Sequence, residues 1–178
     1  MRNLVLALAL TFISFSAYAD NNCSDTIYKM PDDTFKFGMS LKQATASANR
    51  AFKGKGSVIE RDVNVIVVLN NHPLFDQIIA VTREDKVTRL LWSYSPSFQR
   101  KFGGVVEALK IMYAKLKDKY GVHNHADTSD GSVSWGRNGG ASLTVMVEEP
   151  SDLNIRMVCD DLEDHLRKEM EKKANFGF

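Results

Sequence analysis

Apolar residues along this chain recur in two rhythms, a helical one of three to four residues and an extended one of two. After Ser40, the residues Leu41, Ala44, Ala48, Ala51 and Phe52 keep helical spacing, with Gln43 placed for a capping box and Met39 for a hydrophobic staple. The stripe is mostly alanine, so it buries little area but allows close approach to a sheet. Gly54-Lys55-Gly56 reads as its stop. Three β-rich runs follow: Val63 to Leu69, Leu74 to Thr82 and Val87 to Ser95. Short polar connections between them predict an antiparallel meander. Alternation in the third run puts Thr88, Leu90, Trp92 and Tyr94 on one face and Arg89 and Leu91 on the other.

The strongest helical pattern follows Pro96, where Phe98, Phe102, Val105, Leu109, Met112, Leu116 and Tyr120 predict one long amphipathic helix ending at Gly121. Gly103-Gly104 lies inside it, which implies either close backbone packing or a frayed first turn. A polar loop is expected from Val122 to Ser132, then strands over Val133 to Arg137, Ala141 to Glu148 and Leu153 to Cys159. Asn138-Gly139-Gly140 and Glu149-Pro150-Ser151-Asp152 supply the turns. Alternation of Leu143, Val145 and Val147 with Thr144, Met146 and Glu148 predicts a sheet wet on one side. A last helix capped by Asp160 or Asp161 carries a narrow stripe of Leu162, Leu166 and Met170. Its flanks hold the i,i+4 pairs Glu163–Arg167, Asp164–Lys168 and Glu169–Lys173. The order α-βββ-α-βββ-α describes an α+β fold, one antiparallel sheet with helices on one face. It divides into two αβββ units, residues 35–95 and 97–159.

One more apolar run changes the picture. Leu4 to Phe15 is almost wholly apolar after a singly basic start, and Ala17-Tyr18-Ala19 fits a cleavage site. Residues 1–19 therefore read as a signal peptide, too short in its apolar core for a membrane span. The expected mature chain, residues 20–178, is a single domain with no other membrane-length run. The expected location is the periplasm of a Gram-negative bacterium. Without Arg2 the formal net charge falls from +1 to zero, so nothing in the charge points to nucleic acid. Cys23 and Cys159 are the only cysteines. In an oxidising compartment they are expected to pair and tie a polar, aperiodic N-terminal arm to the last strand. Asp20-Asn21-Asn22 before Cys23 is the wrong chemistry for a lipidation signal.

Candidate chemistry is sparse. His123, His125 and Asp127 alternate in a polar segment and are the one cluster of metal-ligand types, giving a metal-binding protein or small metal-dependent hydrolase as the alternative function. No serine stands at a nucleophile elbow, and Gly136 to Gly140 joins two strands without opening a helix. No catalytic residue and no cofactor are assigned. What remains is surface: Phe75, Arg89, Tyr94, Trp135, Arg137 and Arg156 are of the types that anchor interfaces, although Phe75 and Trp135 fit a core equally well. Phe35-Lys36-Phe37-Gly38-Met39-Ser40 opening a helix with Ala44, and Lys119-Tyr120-Gly121 closing the long helix before Trp135, resemble small exported bacterial modules. The plan is similar to the β-lactamase-inhibitor-protein fold and to the small outer-membrane-assembly lipoprotein. That resemblance implies a periplasmic binding or assembly module and carries over no functional residue. The expected function is non-enzymatic binding of a protein or envelope component through an exposed sheet face.

Overall fold

The computed structural model describes residues 23–127, 131–148 and 152–175. The expected signal peptide and the Glu149-Pro150-Ser151 part of the last turn lie outside them. Helix α1 (Leu41–Ala51) is followed by strands β1 (Gly56–Arg61), β2 (Asn64–Leu69), β3 (Phe75–Arg83) and β4 (Lys86–Tyr94). Helices α2 (Pro96–Lys101) and α3 (Val105–Tyr120) come next. Strands β5 (His125–Asp127), β6 (Ser132–Asn138), β7 (Ala141–Glu148) and β8 (Asp152–Cys159) and helix α4 (Asp160–Asn175) complete the chain. The strands form one eight-stranded sheet in the order β1-β2-β3-β4-β8-β7-β6-β5, antiparallel throughout. The fold is α+β, with each half of the sheet a four-stranded meander preceded by helix.

That is one strand more in each half than the hydrophobic pattern predicts. β1 shares only Gly56 with the expected helix stop and otherwise covers residues for which the pattern predicts no element, and β5 lies within the expected polar loop. Both are sheet edges, paired on one side only, and neither needs a long run of buried residues. Four of the six residues of β1 are exposed.

The core is one face of this sheet. Val65, Val67, Ile78, Ala80, Leu90, Trp92, Leu143, Val145, Ile155 and Met157 are buried there. α1 packs over β1, β2 and β4, while α3 packs over β7 and β8. Ser40 caps α1 as expected: its Oγ accepts from the Gln43 N–H at 3.1 Å and Gln43 Oε1 accepts from the Ser40 N–H at 2.9 Å. Ala44 and Ala48 are buried without remainder, whereas Ala51 faces solvent.

The N-terminal arm is where sequence reading and structure part most. Between the two helices it fills the centre of the core with Cys23, Tyr28, Phe35 and Phe37. Trp92 Nε1 donates to Asp32 at 2.6 Å, Tyr28 stacks edge-on against Tyr120 of α3, and Ser47 of α1 donates to the Thr34 carbonyl. The Cys23–Cys159 disulfide is formed, with Cα atoms 5.7 Å apart. A segment wedged between helices has no repeating face, so no periodicity marks its burial.

The expected long helix is two. Gly103 and Gly104 adopt φ +87° and +110°, conformations closed to most side chains, and separate α2 from α3. A Cβ on Gly104 would meet nothing within 4 Å. The glycines serve backbone conformation, not the close helix packing considered above.

Candidate binding face

Strand register assembles the second face of the sheet, away from α1 and α3. One row runs Ile59, Ile66, Ile79, Leu91, Arg156, Thr144, Ser134 from β1 to β6 and ends at His125 of β5. A parallel row runs Ser57, Val68, Gln77, Ser93, Asn154, Met146. A third holds Asn64, Val81, Arg89 and Val158. Ile59 is 46% and Val68 40% exposed, so apolar side chains stand in solvent on the β1–β2 side. Toward β7 and β8 the face closes: Thr144, Met146 and Asn154 are buried. The expected wet face of β7 is thus only partly wet. Thr144 sits between cross-strand neighbours Ser134 and Arg156 and bonds Ser134 at 2.9 Å.

The six residues named as interface types do not come together. Phe75 and Trp135 are buried, the core alternative given for them above. Trp135 Nε1 donates to the Gly121 carbonyl at 3.0 Å and so ties β6 to the end of α3. Phe75 and Tyr94 belong to a run of contacting rings, His72–Phe75–Tyr94–Phe98–Phe102, stacked at its first pair and tilted at the rest, that links the sheet end to α2. Burial pushes the Tyr94 hydroxyl up to about 12.

Arg89 lies on the second face, but Glu163 of α4 accepts from its Nε at 2.5 Å and from its Nη2 at 2.9 Å. Arg137 leaves the sheet and spans Asp160, Asp161 and Asp164, again on α4. These two arginines anchor a helix. Only Arg156, with its Nε buried and unpartnered, lies on this face without such a tie. The expected i,i+4 pairs of α4 are replaced by these contacts and by i,i+3 pairs, Arg167–Asp164 and Lys172–Glu169.

The carboxyls around these anchors respond to their surroundings. Burial alone raises Glu163, but the hydrogen bonds from Arg89 and Thr88 outweigh it and hold the carboxyl below its ordinary range. Asp160 is raised by burial, only partly relieved by a hydrogen bond from Ser142 and the charge of Arg137.

His125 and Asp127 lie in β5, opposite Ser134 and Ser132. His123 precedes that strand, and its Nδ1 is 3.1 Å from the Tyr113 hydroxyl. Among the described residues no three His, Cys, Asp or Glu side chains gather as a metal site. The described helices include none long and apolar enough to cross a membrane.

Ile59, Ile66, Ile79 and Asn154 are the face residues that sequence reasoning did not single out. Their signal is register: each is unremarkable in its own strand, and the row exists only once β1 to β4 are paired. No protein family, curated protein or solved structure matches this chain.

Proposed function

We propose that this is an exported, non-enzymatic binding protein that engages a protein or envelope component through the second face of its sheet. The observation that carries the reading is the row Ile59, Ile66, Ile79 and Leu91, four large apolar side chains aligned across adjacent strands on the face that α1 and α3 leave free. Ile59 is exposed and Ile66, Ile79 and Leu91 are half-buried, and an apolar row left partly in water is the kind of surface that a partner covers. Export rests on the apolar N-terminus and agrees with a disulfide-bonded fold. The periplasm is the compartment this reading assigns. The resemblance to β-lactamase-inhibitor-protein-like modules belongs to the same proposal and adds no residue to it.

Immobilised protein tests the reading on envelope extract. Wild type should retain a component that Ile59→Asp, a change at an exposed edge-strand position, loses while keeping its melting temperature. Equal retention by both would overturn it.

A further inference from the structure

Arg156 of β8 stands half-buried on the second face between Leu91 of β4 and Thr144 of β7, its cross-strand neighbours. Its Nε is shut away from solvent with no acceptor, and among the described residues no carboxylate pairs with the guanidinium. The other arginine of this stretch is settled differently. Arg89 lies two residues from Leu91 along β4, on the same side. Glu163 accepts from its Nε at 2.5 Å and from its Nη2 at 2.9 Å. A cation drawn partly out of water without a counter-charge costs free energy that a carboxylate offsets. Arg89 has that carboxylate within the fold and Arg156 does not.

What the missing anion is attached to follows from the neighbours. From Arg156 the row continues as Leu91, Ile79, Ile66 and Ile59 to the sheet edge, so the anion arrives with apolar groups on one side of it. Glu148 and Asp152, both exposed, face each other further along β7 and β8 on the same face. They repel an extended anionic surface such as a bilayer of acidic lipids, whereas one guanidinium holds one carboxylate by two parallel N–H···O bonds. With Nε closed off, the two Nη groups are the donors for it. Strands lie about 4.8 Å apart and alternate residues of an extended chain about 6.7 Å apart. A strand-like segment with an acid and two apolar residues at alternate positions therefore spans the distance from Arg156 to Ile66.

We propose that Arg156 receives the carboxylate of an aspartate or glutamate of the partner protein through its Nη groups. The partner's adjoining apolar residues lie on Leu91, Ile79 and Ile66. The proposal rests on the sheet-face reading and gives that face its polar anchor.

The 15N-labelled protein, titrated with acetyl-Glu-Thr-Leu-Thr-Leu amide, should show saturable shifts at Leu91, Thr144 and Arg156. The glutamine analogue, the same shape without the charge, should bind about fivefold more weakly, and high salt should narrow that gap. Arg156→Gln should erase the preference for the acidic peptide, and Arg156→Lys, which keeps the charge, should retain part of it. Equal affinity for the two peptides, a preference that survives Arg156→Gln, or no shift with either peptide would overturn the proposal and leave solvent as the partner of Arg156. Retention from envelope extract that is lost in Ile59→Asp but indifferent to Arg156→Gln would likewise remove the carboxylate while sparing the face. Retention indifferent to Ile59→Asp removes the face itself.

Discussion

Single residues carry conformational demands that composition hides. Gly104 caps α3 with φ +110° and ψ 178°, a region closed to side chains, and no side chain caps the helix there. A reading in which Gly104 sits inside a helix predicts that alanine stabilises; the structure predicts the reverse. Gly104→Ala should lose about 1–3 kcal/mol in a denaturant melt, from backbone strain alone. Gly139 faces a double demand, since φ is +54° and a Cβ would stand 2.4 Å from the Thr26 nitrogen of the arm. Tyr94 gives a pH signature of its own. Its folded pKa is raised from the ordinary 10.0 to about 12, so its stabilising effect is complete below pH 10 and is lost as the pH climbs through 12. Unfolding curves across that range should show a loss of stability in wild type that Tyr94→Phe largely removes.

At the scale of elements, α4 illustrates how tertiary partners override local pairing. Its acidic residues were spaced for neighbours on the same helix, yet Glu163 turns to Arg89 and Thr88 on β4, and Asp164 to Arg137 on β6. Glu163→Gln should cost about 1 kcal/mol, a figure held down by the exposure of Arg89. Because the folded Glu163 carboxyl lies below its ordinary 4.5, the contribution is complete above that pH and fades as the pH falls through the folded value. Urea melts at neutral and acidic pH should therefore separate wild type from Glu163→Gln at neutral pH and bring them together in acid.

The elements with a strong internal rhythm were legible in the chain: the capped α1, the paired interior strands and the stripe of α3. The edge strands β1 and β5 were not, since an edge pairs on one side and needs no continuous apolar run. The candidate site was legible only as a kind of surface. Arg156 was named, but the Ile59–Leu91 row depends on a register that no single strand encodes.

The whole molecule is two helix-led meanders joined at β4 and β8, with the N-terminal arm inlaid between α1 and α3. The disulfide spans 136 residues and clamps that arm to the end of β8. By loop-closure entropy it contributes at most about 5 kcal/mol, so reduction should lower the melting temperature by well over ten degrees. Trp92 sits under the arm, bonded to Asp32, so a red shift of its fluorescence in the reduced protein reports the arm lifting from the core. The proposed function rests on the opposite side of the sheet, and its central claim is that the Ile59–Leu91 row meets a partner. A photo-crosslinking amino acid tests this most directly, placed at Ile59, 46% exposed on that row, or at Val106, 57% exposed on α3. In envelope extract the account predicts a discrete adduct from position 59, none from position 106, and loss of the adduct when Ile79→Asp is added. Equal labelling from the two positions, or an adduct at 59 that survives Ile79→Asp, would contradict it.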